Sequence, residues 1–351
     1  MKKCYSIFLI FGLILVISSC KKDNDISNEN RNFDASLPSG QMVFSQLPVD
    51  TTDIGYIIPL GHLSPPDHTI PTDHMYFVDI PAGTILYAPA SGKVLDTFTF
   101  DVGNMYQDNR VTIGVTNTAS YYFSGFALDA DIKIGVTVKA GQRLGVISNG
   151  RGIDVGAMVK TIDQPFLDPQ LYGLWSLHCD SPIKHFPKDI QAALYAKVRR
   201  LGSDKDGKIC YDISGKLSGN WIAEDAKNFD PLNTDNYCSY FVAFVYGNYD
   251  PSKMVISIGN DSFFTSVNGN SSGYNVFYVQ DNASKFENVT PASGKVTYKL
   301  FNAGDFDPNT GVRQGLLIVQ MITDKKIRIE FFDDTTSTDH DFTSNAKIYV
   351  R

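Results

Sequence analysis

The sequence predicts an all-β protein of two domains with one linking helix. Three observations carry this reading. Between residues 54 and 165, short alternating runs are broken by glycine and proline, with no stretch of helical periodicity. One stretch alone, "FPKDIQAALYAKVRRLG" (residues 186–202), presents a helical face. After it the β pattern returns and runs to residue 351 in segments separated by Gly, Asn, Asp and Pro clusters.

The chain opens with "MKKCYSIFLIFGLILVISSC". Lys2 and Lys3 form a charged start, Tyr5 to Ile17 an apolar run too short for a comfortable membrane span, and a small-residue stretch ends at Cys20. Residues 1–19 resemble a bacterial lipoprotein signal. That resemblance implies a lipidated Cys20 at the head of the mature chain and a membrane anchor on the cell envelope. Lys21 follows in place of an aspartate, so the outer membrane is expected, with the body facing the periplasm or the cell surface. Residues 20–40 carry almost no apolar side chains, cannot offset the entropy of folding, and read as a disordered tether.

The first β domain is placed at residues 41–175, with strands at "YIIPL", "HMYFVDI", "TILYA", "KVLDTFTF", "RVTIGVT", "SYYFSGF" and "RLGVIS". A helical linker follows at 176–206. Pro187 suits a first helical position, Ile190, Leu194, Val198 and Leu201 share one face, basic residues crowd the end, and Gly202 follows. The second domain, 207–351, reads as an antiparallel sandwich or barrel with strands from "YFVAFVYG" to "KIYVR". Trp221, in "SGNWI", resembles the Gly-x-Trp of lipocalin-like barrels and is expected to plug one end of a β core.

Net charge is -7, and no basic patch is interleaved with aromatics, which argues against nucleic acid as a partner. Beyond Cys20 the chain holds Cys179, Cys210 and Cys238, so an oxidising compartment allows one pair and one leftover thiol. Cys179 with Cys210 is the expected disulfide; it would close a loop of about 30 residues and contribute about 3–4 kcal/mol. Pairing of Cys210 with Cys238 and three buried thiols both stay open. "DKDGK" at 204–208 lacks the distal glutamate of a calcium loop and reads as a solvated turn.

The stretch with most chemistry is "GHLSPPDHTIPTDHMYF", residues 61–77. His62, His68 and His74 recur every six residues, and Asp67 and Asp73 immediately precede two of them. Imidazole and carboxylate are zinc donors, which makes His68, His74 and Asp73 the candidate metal ligands. In the competing account the aspartates cap turns and the histidines bond to backbone carbonyls. No cofactor is demanded by the sequence; zinc is the metal these side chains would suit.

Two further segments, "AGTILYAPASGKVLD" (82–96) and "IKIGVTVKAGQRLGVISNGRG" (132–152), resemble the "G-T-x-V-x-A-P-x-x-G-x-V" and "V-x-x-G-x-x-V-x-x-G-Q-x-I-G-x-x-G" runs of lysostaphin/LytM-type zinc endopeptidases. The resemblance implies a barrel-sandwich hybrid, a duplicated hybrid motif, for the first domain, and peptidoglycan as the substrate of the active relatives. It also implies zinc held by a histidine and an aspartate before the first run and by the second histidine of an "H-x-H" after the second run. This chain departs from that pattern. Counting back from Gly83, the aspartate ligand falls at Phe77 or Val78 and the histidine at Asp73 or His74. Asp154 and Gly156 stand where the "H-x-H" is expected, and Phe123 or Ser124 where a further histidine is expected. The lysine-tipped hairpin of biotinyl and lipoyl carriers, which share the glycine pattern, is also missing from the corresponding turns. The reading is a degenerate, non-hydrolytic domain that binds or scaffolds at the cell wall, its partner being peptidoglycan, another glycan or an envelope protein. The alternatives are a zinc metallopeptidase using His68, His74 and a nonstandard ligand such as Asp154, and a structural subunit of an envelope complex.

Overall fold

The computed structural model describes residues 28–101, 107–148, 150–230, 237–259, 275–302 and 312–351. The expected signal segment, Cys20 and part of the tether lie outside the described residues. The protein is all-β, as the alternation predicts, with two antiparallel sheet systems and three short α-helices among the described residues.

The first system is built from β1 (Tyr56–Ile58), β2 (Met75–Val78), β3 (Ile85–Tyr87), β4 (Gly92–Asp101), β5 (Gln107–Thr116), β6 (Ala119–Leu128), β7 (Thr137–Val138), β8 (Arg143–Val146), β9 (Gly152–Val159) and β10 (Cys179–Asp180). Its main path runs β1-β2-β9-β6-β5-β4-β7, and β8 joins β3 to the far end of β6. Alternation assigns the two faces. Met75, Phe77, Tyr121, Phe123, Ile153, Val155 and Ala157 enter the core. Tyr76, Tyr122, Asp154 and Gly156, being offset by one residue, lie on the opposite face. That face is partly covered by α1 (Asn28–Asn32) and α2 (Leu174–Leu177), where Phe33 and Trp175 pack on Tyr122 and Met158.

The expected helix over 186–202 is shorter in the structure, with α3 spanning Lys188–Tyr195. Beyond Ala196 the backbone is taken up by β1: Ile57 N donates to the Lys197 carbonyl, and Arg199 N donates to the Ile57 carbonyl, each at 2.9 Å. Leu194 and Val198 are buried as expected, but Leu201 falls outside the helix and is 46% exposed.

The second system resolves the choice between sandwich and barrel. Strands β11 (Gly219–Ala223), β12 (Phe241–Tyr246), β13 (Met254–Ile258), β14 (Val276–Val279), β15 (Lys295–Asn302), β16 (Arg313–Thr323), β17 (Lys326–Phe332) and β18 (Lys347–Val350) pair in chain order. Pairing of β11 with β18 closes the barrel, which leaves no open edge. Trp221 is fully buried, and its Nε1 donates to the Leu217 carbonyl at 2.8 Å. The Arg351 guanidinium lies 3.9 Å from the Trp221 ring centre and donates to the carbonyls of Ser218, Ile213 and Lys216.

Candidate functional site

The site lies where β2 meets β9 and β6. Cross-strand register sets Arg110 beside Ser124, Ser124 beside Asp154, and Asp154 beside Tyr76, a polar row crossing β5, β6, β9 and β2. One step along, Tyr122 stands opposite Gly156. A bulge in β6 between Ser124 and Phe126 is made by Gly125, whose φ of 90° suits glycine, and it re-aims the strand beside this row.

Asp73, in the turn before β2, is the hub. Its Oδ1 accepts from the Tyr122 hydroxyl at 3.0 Å and lies 3.1 Å from His74 Nδ1, while Oδ2 accepts from Ser176 Oγ at 2.6 Å. The other ring nitrogen of His74, Nε2, has no hydrogen-bond partner and faces Asp154 Oδ2 at 3.9 Å. The His68 ring packs edge-on to His74 with centroids 5.4 Å apart, so two of the three candidate ligands found in sequence converge. His62 stands 5.4 Å from the Tyr76 ring, and His74 4.8 Å from it. The 61–77 stretch therefore folds back on itself around Tyr76.

The electrostatics follow from this packing. Burial pushes Asp73 up, but hydrogen bonds from His74 and Ser176 and the charges of His74 and Arg110 outweigh it and hold the carboxyl far below its ordinary range. Burial would neutralise His74, yet Asp154 and the bond to Asp73 raise it above 6.5. Burial, then repulsion from His74, brings His68 down to about 3, so it stays neutral. Asp154 is raised by burial against the pull of His74 and Arg110, with a third of its side chain exposed. The centre is His74 set between Asp73 and Asp154, both of which favour its protonated form.

Zinc, which the family resemblance implies, needs three protein ligands and an open position in a catalytic site. The residues present do not fit that demand. Both oxygens of Asp73 are already engaged, and Phe77 points into the opposite core. At Gly156 a Cβ would fall 2.1 Å from Tyr122 Cε1, so the tyrosine ring fills the space of any side chain there. Among the described residues no three His, Cys, Asp or Glu side chains come together in a way that could hold a metal ion.

The expected Cys179–Cys210 disulfide is not formed; Cys179, Cys210 and Cys238 are all free thiols. Cys179 is fully buried on the first sheet, and its Sγ donates to the Asp73 carbonyl at 3.0 Å, which holds the hub in place. Burial, reinforced by Asp73, pushes its pKa well up and keeps it protonated. Cys210, near Asp212, is pushed up to about 12 by burial. In "DKDGK", Asp204 pairs with Arg200 and Asp206 accepts from Tyr195 at 2.7 Å, so both serve local packing.

Arg110, Tyr122, Trp175 and Ser176 were invisible as site residues in the sequence. They lie up to 103 positions from Asp73 and meet it only through strand register and the docking of α2.

No family model matches the chain, and no curated protein matches it. Among solved structures, part of the chain is similar to Csd3 of Helicobacter pylori, at 20% identity over 34% of this chain and 32% of that one, with a TM-score of 0.27. A zinc containing peptidase from Vibrio cholerae is similar at 18% identity over 34% of this chain and 37% of that one, with a TM-score of 0.26. The catalytic domain of the antimicrobial peptidase lysostaphin from Staphylococcus simulans is similar at 19% identity over 32% of this chain and 88% of that one, with a TM-score of 0.23. The chain spans about a third of the length of the first two.

Proposed function

We propose that the first domain is a LytM-like module that binds the cell wall without cleaving it, and that an N-terminal lipid on Cys20 holds it at the outer membrane. The glycine-valine runs at 82–96 and 132–152 and the signal-like segment ending at Cys20 support the family and the location. One observation carries the loss of hydrolysis: the Tyr122 ring occupies the place of a side chain at position 156 while its hydroxyl engages Asp73. By the motif count, position 156 and the Asp73–His74 pair stand near ligand positions of the active relatives, so one tyrosine touching both supports the non-hydrolytic reading, since a fold without its site does not supply the activity.

The test is zinc content and wall chemistry on the same purified chain. The expected result is no stoichiometric zinc after growth in zinc-supplemented medium, no peptide released from sacculi, and cosedimentation of the chain with them. A second reading, a zinc metallopeptidase on His68, His74 and a nonstandard ligand such as Asp154, starts from His74, which has the His68 ring on one side and Asp154 Oδ2 3.9 Å away. About one zinc per chain, lost together with peptide release in His74→Ala, would establish it and end the first.

A further inference from the structure

Buried polar groups in folded proteins are almost always hydrogen-bonded, so a cluster of exceptions marks a place where something else binds. Among the described residues, eleven buried side-chain atoms have no partner, and three of them belong to this one region: His74 Nε2, Asp108 Oδ1 and Arg110 Nη2. Two can donate and one accepts.

Arg110 is the most telling of the three. Its guanidinium carbon lies 3.9 Å from the Tyr122 ring centre and 4.9 Å from that of Trp175. Stacking engages the flat faces of a guanidinium and leaves its N–H groups in the plane between the rings. The two rings flank the cation without taking its hydrogen bonds. Its Nη2 is buried and has no hydrogen-bond partner among the described residues. Tyr122 is itself fixed through its hydroxyl on Asp73, which ties the arginine rigidly to the site. A planar fork preset in this way matches a carboxylate, which accepts two parallel N–H bonds.

We propose that this sheet face receives a carboxylate of a peptidic ligand, with Arg110 as its anchor and Tyr122 and Trp175 as the walls that hold Arg110. Asp154, whose side chain is a third exposed, is the neighbouring acceptor for an ammonium or amide of the same ligand. The proposal rests on the wall-binding reading for the source of such a peptide, since stem peptides of peptidoglycan carry free carboxylates.

Trp175 gives a local readout, because the other tryptophan, Trp221, is sealed inside the barrel. The full chain is titrated at fixed ionic strength with meso-diaminopimelate and with cadaverine, which has a similar chain and ammonium groups but no carboxylate. The expected result is saturable quenching by meso-diaminopimelate alone, weakened at least tenfold in Arg110→Gln and less in Arg110→Lys. Should the variants misfold, phenylglyoxal labelling of Arg110 in the unmodified chain serves instead, slowed by meso-diaminopimelate and not by cadaverine. Equal quenching by cadaverine, no quenching at all, or full binding by folded Arg110→Gln overturns the proposal. If that happens while the chain still cosediments with sacculi, wall binding stands and the carboxylate anchor falls. Arginine-dependent binding of meso-diaminopimelate by a chain that ignores sacculi leaves the anchor standing and removes the wall reading.

Discussion

His68 illustrates how one partly buried imidazole sets a pH limit on the fold. In the unfolded chain it takes up a proton near pH 6.5, whereas in the folded chain it resists until about 3. Between those values the unfolded state binds the extra proton, so stability falls as the pH falls, by at most about 1.4 kcal/mol per unit. His74 works in the opposite sense. Raised above its ordinary value, it adds stability that is complete below pH 6.5 and is lost as pH rises through its folded value. Between pH 6.5 and 4.5, above the range in which the depressed Asp73 carboxyl takes up its proton, the acid lability of this pair of imidazoles therefore belongs to His68. Replacing it with glutamine is expected to reduce the stability lost between pH 7.5 and 4.5 by about 1–2 kcal/mol, read from urea midpoints at the two pH values. An unchanged difference would mean that His68 is not kept neutral in the fold.

At the level of the strand, β9 decides what this face can do. Gly156 permits the Tyr122 ring to lie flat on the sheet, and the ring cannot move aside cheaply because Asp73 holds its hydroxyl and Arg110 covers its face. Gly156→Ala is expected to cost about 1–3 kcal/mol, and the double variant with Tyr122→Ala less than the sum of the two singles. Strict additivity in thermal or urea unfolding would show that the two positions do not touch. The same strand marks the boundary of what sequence reveals. β1 to β6 and β8 were legible because their apolar residues alternate, whereas β9, "GIDVGAMV", hides behind an aspartate and two glycines. It is a strand because β2, β6 and β10 pair with it, a tertiary cause that no local pattern carries. For the same reason the cluster was half legible. His68, His74 and Asp73 stood out by spacing, while the hydroxyls and the arginine that engage or flank them arrive from strands and a helix far along the chain. The disulfide expectation failed on a related point. Cysteine counting says which thiols are available but not that Cys179 is committed to the Asp73 carbonyl.

The two sheet systems share more than a covalent link, and the shared surface bears on the histidines. The segment after β1, which holds His62 and His68, is gripped by the barrel. Leu63 packs with Tyr211, Ala243, Val245, Val255 and Tyr278, and Asn248 Nδ2 donates to the Leu60 carbonyl at 2.8 Å. Arg200, only 5% exposed, completes the joint: Nη1 donates to the Asn248 carbonyl at 2.6 Å and to Gly247 at 3.3 Å, and Nη2 pairs with Asp204. One apolar cluster runs from Phe44 in the first domain to Tyr349 in the barrel, so the chain is expected to unfold in a single calorimetric transition. Arg200→Ala removes the donors of two buried carbonyls and should cost about 2–4 kcal/mol, because those groups lose their partner where water is excluded. It is further expected to split the transition in two and to loosen the 61–72 segment, so that His68 regains a proton at higher pH in an NMR titration. A single transition with an unshifted midpoint would place the coupling in the Leu63 contact alone and leave the histidine segment independent of the barrel.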